Sequence, residues 1–349
     1  MANKTLINGT SYTVKGGKTL VGGTGYDVTK GNTLVGGTGY SINFSTVPVL
    51  NPSWGTEKTP NNFQNTPTTY CNDIFGCVGS NLSLYTYNYD TNSSNYKSKF
   101  SSSVLSSFVL VDDTHWIGAY SVGTKYYHIV WGTYSGTTLT EVSSTQITLV
   151  TGLEPIVIKN KINNKVLITF SDSYAYIVDS FSNNTPSYSQ LSGASISANY
   201  GCYIGDYFIS TIDGKVYSIA NNTLTQEYTI QYTSLGENTV DYYDDTHFSS
   251  YSSGNTYIYE LSTGNLLSTE LSTGLIRGNP NNNDYLYEHY KDNTTMYLKI
   301  YRPDLTLIQT LNKTVSSNYN YSILNYDDTL MCSIGRTGYN YVFTPVVLY

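Results

Sequence analysis

Charge is what this sequence has least of. Asp, Glu, Lys and Arg together make 12% of its 349 residues, about half the usual share. With 18 basic against 25 acidic side chains the net charge is −7, and no basic run occurs. Nucleic acid and anionic membrane surfaces are therefore excluded as expected partners. Arginine is confined to Arg277, Arg302 and Arg336, and glutamate is thinly spread. The carboxylate pairs that a glycosidase needs are hard to assemble from so few residues. No G-x-S-x-G, Walker-type loop, HExxH or GxGxxG context is present.

Cysteine is equally scarce. Cys71, Cys77, Cys202 and Cys332 are the whole set, and five residues between the first two fit no common zinc spacing. All four read as free thiols, and no metal or cofactor is expected. The N-terminus has no apolar signal-peptide core, and no run approaches membrane-spanning length. The expectation is a protein made in a cytoplasm with no membrane partner. Helical periodicity is missing throughout.

What is present is tyrosine, at 37 residues, together with abundant Ser, Thr, Asn and Gly. Two repeats organise them. The first has a period of fourteen: TLINGTSYTVKGGK from Thr5, TLVGGTGYDVTKGN from Thr19 and TLVGGTGYSINF from Thr33. In each unit a Leu (Leu6, Leu20, Leu34) precedes a Tyr (Tyr12, Tyr26, Tyr40) by six residues. Extended-chain parity puts both on one face. Asn8-Gly9, Gly22-Gly23 and Gly36-Gly37 suit two-residue hairpin turns. The spacing predicts a small β-meander of three hairpins over residues 1–44. One hairpin cannot bury an apolar face alone, so those six side chains are the expected anchoring surface toward other proteins.

The second repeat starts near Tyr70, after a Pro-bearing linker and ring-closing segment over 45–69. Strands centred on Tyr85, Tyr127, Tyr176, Tyr217, Tyr257, Tyr297 and Tyr339 or Tyr341 recur about every forty residues, most of them preceded by another apolar strand. Four antiparallel strands per forty residues predict propeller blades. The fold class is thus all-β, hairpin repeats followed by a β-propeller over 70–349. Seven blades are expected, with six or eight as alternatives. The last has about three strands of its own, and Val47–Leu50 is expected to supply the fourth.

The DDTH turns at Asp112 and Asp244 invite a metal reading, but Asp favours turns by bonding its own backbone, and the echo at Asp327 lacks the His. The four histidines, His115, His128, His247 and His289, show no ligand spacing. Binding is more plausible than turnover. The loops entering each inner strand, and those between second and third strands, offer Asn199, Tyr200, Asn238, Arg277, Asn281, Asn318 and Tyr319. Amides can bond sugar hydroxyls, and tyrosine offers contact area at little entropic cost.

The pattern ING-T-x-Y-x-V followed by GKTLVGGTGYDV resembles short N-terminal repeats in structural proteins of phages and prophages of low-GC Gram-positive bacteria. The resemblance covers residues 5–44. It implies a virion component such as a decoration or tail-fibre protein, anchored to other virion proteins through the repeats and present in multiple copies. Host-surface polysaccharide is the expected partner of the propeller, and a virion-mounted glycan hydrolase or a purely structural tail or baseplate component are the alternatives. GNTYIYELSTGNLLSTEL resembles quinoprotein-type blades in its strand–turn–strand pattern only, which carries no cofactor.

Overall fold

The computed structural model describes the backbone of residues 4–347 apart from 8–9, 14–16, 22–23, 29, 36–37, 44–50, 61–68, 72–73, 79–82, 98–106, 123–125, 149–154, 171–173, 197–200, 231–239, 281, 316–320, 326–329 and 338–339. Side chains are described from 51 to 315, except 281–283 and those backbone gaps, and at Phe343, Thr344 and Val346. All regular elements among these residues are strands. The chain divides into two compact units, residues 1–52 with 348–349, and residues 53–347.

The first unit holds three two-stranded antiparallel sheets: Lys4–Ile7 with Thr10–Thr13, Gly17–Val21 with Thr24–Val28, and Lys30–Val35 with Thr38–Asn43. Among the described residues no ladder joins one hairpin to the next. The register corrects the parity argument. Tyr12 is paired with Thr5, and Leu6 with Ser11. The same offset recurs at Thr19↔Tyr26 with Leu20↔Gly25, and at Thr33↔Tyr40 with Leu34↔Gly39. Adjacent register positions belong to opposite faces of a ladder. Extended-chain counting fails because the chain reverses between the Leu and the Tyr. The side chains of these six anchoring candidates lie outside the described residues.

The second unit is a β-propeller. Six blades each use one contiguous stretch of chain, with strands hydrogen-bonded in sequence order from inner to outer. The inner strands are Thr69–Cys71, Ser107–Leu110, Ile156–Lys159, Gly201–Ile204, Val240–Asp244 and Ile276–Asn279. Inner strands of successive blades pack side by side, which defines the ring axis. The tyrosine repeat marks the third strand of each: Leu84–Asn88, Tyr126–Ser135, Tyr174–Ser182, Lys215–Ala220, Asn255–Glu260 and Thr295–Tyr301. The fourth blade carries a fifth strand, Ser192–Gly193, parallel to its outer strand Thr223–Thr229.

A further sheet is composite. Tyr321–Asn325, Leu330–Thr337 and Asn340–Val347 are joined by Ser53–Trp54. The structure therefore gives six blades of contiguous chain, not seven. The strand donated from upstream is Ser53–Trp54, and Val47–Leu50 lies outside the described residues.

Blades exist because neighbouring sheets bury each other's faces. Strand alternation sends one set of side chains to each neighbour. Trp116, Leu110 and Val130 of the second blade meet Ile74 and Leu84 of the first. On the opposite face, Ile117, Tyr127 and Ile129 meet Val157, Val166 and Phe170 of the third. Each fully buried side chain of this size contributes about 1.5–3 kcal/mol. The composite sheet touches both ends of the series. Phe343 packs on Phe75 and Tyr87 of the first blade, with ring centroids 5.0 and 4.6 Å apart. Trp54 packs against Met296 and Val315 of the sixth and donates its indole N–H to the Asn312 carbonyl at 2.9 Å. Lys58 then exchanges two backbone hydrogen bonds with Phe343 and places its ammonium 4.2 Å from the Tyr89 ring centroid.

Candidate functional site

Of the seven residues expected at a binding rim, Arg277 alone falls within the described residues; Asn199, Tyr200, Asn238, Asn281, Asn318 and Tyr319 lie outside them. Arg277 sits on the inner strand of the sixth blade. Its Nη1 donates to Asp241 Oδ2 at 2.9 Å, and Asp241 sits on the inner strand of the fifth. Lys161, just past the inner strand of the third blade, places Nζ 2.9 Å from Asp241 Oδ1. Cys202, on the inner strand of the fourth, has its thiol 4.0 Å from the same oxygen. Four successive blades thus converge on one carboxylate at the ring axis.

Local structure fixes each member. The loop holding Lys161 is clamped to the fourth blade. The buried Asn160 amide donates to the Gly205 carbonyl at 2.6 Å and accepts from Gly205 N–H at 3.1 Å, and Lys161 N–H donates to the Tyr203 carbonyl at 2.8 Å. Gly278 lets the fifth and sixth inner strands approach closely. A Cβ there would lie 1.9 Å from the Tyr243 carbonyl oxygen, a distance no side chain tolerates. That approach brings Arg277 within reach of Asp241.

The electrostatics follow from burial and pairing. The side chains of Asp241 and Arg277 are 16% and 15% exposed, while Lys161 is 38% exposed. Burial works to raise the Asp241 carboxyl, but the charges of Lys161 and Arg277 outweigh it and hold the group below the usual carboxylate range. Burial likewise works to lower the Lys161 ammonium, and the Asp241 charge raises it above its ordinary value instead. Burial pushes the Cys202 thiol up to about 12, so it contributes no negative charge at neutral pH. His289, behind Arg277 on the second strand of the sixth blade, is brought down to about 3 by burial and by the Arg277 charge. It too is neutral. The cluster keeps two cations against one anion.

A second buried carboxylate lies nearby but serves differently. Glu288 is fully buried and accepts from Thr273 N–H at 2.6 Å, Gly274 N–H at 3.0 Å, Lys299 Nζ at 3.0 Å and the Tyr301 hydroxyl at 2.6 Å. Both oxygens are committed to donors of its own blade and of the loop leading into it.

The carboxylate of each DDTH turn is satisfied within its own turn. Asp112 Oδ1 accepts from Thr114 N–H and His115 N–H at 2.9 Å, and His115 Nδ1 lies 2.9 Å away. Asp244 holds Thr246 N–H and His247 Nδ1 at 2.8 Å in the same way. Among the described residues no group of three or more His, Cys, Asp or Glu is arranged to hold a metal ion. The four histidines do not share a site. His128 stacks on Tyr120, and His115 on Phe181. Cys71, Cys77 and Cys202 are free thiols; the Cys332 side chain is outside the described residues.

A groove of about 210 Å³ lies between the first and second blades, lined by Leu84, Thr86, Asn95, Lys97 and the turn at Thr137–Thr138 among others. Its exposed Tyr96 is paired with Tyr85, its stacking partner at 6.0 Å. Tyr96 itself lines the groove.

A solved structure of U3-55K is similar to this chain. It superposes with a TM-score of 0.55 over 83% of this chain and 98% of that one, at 10% sequence identity. At that identity the likeness shows the propeller fold alone. No protein-family model matches the sequence, and no curated protein does either.

Of this cluster, the sequence names Arg277 as a rim candidate and does not name Asp241 or Lys161. Asp241 was three residues from a named candidate, Asn238. Lys161 follows its inner strand, whereas the rim argument searched the loops that enter inner strands and those between second and third strands. The usable signal was charge itself: in a sequence this poor in it, three ionisable residues at inner-strand ends are conspicuous.

Proposed function

We propose that the chain is a bacteriophage virion protein. In this reading the hairpin repeats of residues 1–44 mount it on the particle through contacts with other virion proteins. The propeller is displayed outward in several copies as a decoration or fibre-type element that adheres weakly to host-surface glycan. The fourteen-residue repeat carries the proposal, because its resemblance to phage structural proteins points to a particle. The composite sheet, completed by the strand Ser53–Trp54, packs on both the first and sixth blades. A rigid closed ring suits a displayed adhesion module, since its binding groups need no ordering on contact.

Turnover is not supported by the carboxylates. Asp241 is held by two cations and Glu288 by four donors, so neither is poised as a general acid or base.

Phage particles labelled with antibody against residues 53–347 are expected to carry the label on their surface, and deletion of that region is expected to lower host adsorption. Labelled particles with unchanged adsorption would leave a structural role alone. Unlabelled purified particles would overturn the proposal.

A further inference from the structure

The axis cluster has more donors than acceptors. Arg277 brings five N–H donors and Lys161 three, against one carboxylate between them. Arg277 Nε is buried and has no hydrogen-bond partner among the described residues. A buried donor left unpaired is costly, and such groups call for an explanation. Lys161, exposed over 38% of its side chain, makes the cluster reachable from water. The neutral states of Cys202 and His289 leave one positive charge in excess among these five residues, in a protein of net charge −7.

We propose that Lys161 and Arg277 bind the carboxylate of an acidic sugar, a uronate-type pyranose, at the mouth of the ring axis. The assignment rests on the glycan-adhesion reading and deepens it by naming the saccharide class. A carboxylate matches the planar donor fork of a guanidinium. Asp241 is then a positioning residue: it holds the two cations about one point without cancelling both. A neutral pyranose offers only hydroxyls, which do not neutralise the excess charge.

The test uses the full chain titrated with methyl β-glucuronide, methyl β-glucoside and acetate, followed by saturation-transfer NMR and calorimetry. The glucuronide should bind at least about tenfold more tightly than either of the others, as expected for one charge-assisted contact over a neutral one. Lys161→Gln and Arg277→Gln should each abolish that preference by weakening glucuronide binding at least about tenfold. In both variants Asp241 keeps one cation, and the melting temperature checks that each is folded. Equal binding of glucuronide and glucoside, or glucuronide binding unchanged in both variants, would overturn the acidic-sugar assignment while adhesion stands. Acetate binding as tightly as the glucuronide would reduce the cluster to a simple anion site and overturn the saccharide assignment. An array of neutral and acidic polysaccharides on which the wild-type chain binds nothing would sink the adhesion reading itself.

Discussion

The ring axis at Asp241 and the wedge between the fifth and sixth blades at Glu288 each bury a carboxylate, and they satisfy it by opposite means. Glu288 is 0% exposed and sealed by two backbone amides, a lysine and a tyrosine, all within 3.0 Å. Asp241 is 16% exposed and carries two full cations on its two oxygens. The first arrangement closes its hydrogen bonds; the second leaves charge and donors over. The difference separates a carboxylate that builds the fold from one that arranges charge for an incoming group.

Breaking the sealed carboxylate should cost most. Glu288→Ala strands two amide donors and the Lys299 ammonium in a buried wedge. The expected loss is roughly 3–5 kcal/mol of unfolding free energy, measured by urea denaturation. A loss under about 1 kcal/mol would mean that the wedge rearranges or hydrates, and the contrast with Asp241 would vanish.

Acid should act on the axis next. The His289 pKa of about 3 lies below its ordinary 6.5. Between those values the unfolded chain takes up a proton that the folded chain refuses. Stability is therefore full above about pH 6.5 and falls as pH drops toward 3. Asp241, also held below its ordinary 3.8, adds a further loss only as pH falls below that value. Melting temperatures from pH 7 to 4 should decline, and His289→Gln should flatten the decline. An equal slope in the variant would show that His289 is not the group responsible.

Asp241→Asn should cost less than the Glu288 change, about 1–3 kcal/mol. Lys161 can turn to solvent, and Arg277 keeps some exposure. The same variant should weaken glucuronide binding by loosening the two cations rather than removing them. Stability falling as far as in Glu288→Ala would make the axis cluster a structural plug.

Much of the fold was legible because strand alternation and a forty-residue period are local properties. Each of Tyr85, Tyr127, Tyr176, Tyr217, Tyr257, Tyr297 and Tyr341 lies on the third strand of its sheet. The strand closing the composite sheet was harder to place. Ser53–Trp54 is two residues long, too short for any alternation to register, and it is fixed by Trp54 reaching Asn312 at 258 residues' separation. The meeting of the axis residues, as distinct from their charge, was illegible for a related reason. Lys161 meets Asp241 only after three inner strands have been set side by side, and no local pattern encodes that. Spacing along the chain likewise does not reveal the hairpin register, in which Tyr12 pairs with Thr5 and Leu6 with Ser11.

The smallest expected effect separates the two DDTH turns. Both Asp112 and Asp244 organise their own turn, and burial of each carboxyl is outweighed by the hydrogen bonds it accepts, which hold it below its ordinary value. Among the described residues, another blade joins in at the first turn alone: His115 Nε2 lies 3.1 Å from Asn184 Oδ1, and its ring stacks on Phe181 at 4.4 Å. His247 makes an edge contact with Tyr243 of its own blade. Asp112→Ala frees His115 from its turn and loosens the second blade from the third. It should cost about 1–2 kcal/mol, against about 1 kcal/mol or less for Asp244→Ala. Adding Asn184→Ala should be nearly free in the Asp112 variant but costly in the Asp244 variant, since a contact already lost cannot be lost twice. Additive losses in both backgrounds would confine each turn to its own blade.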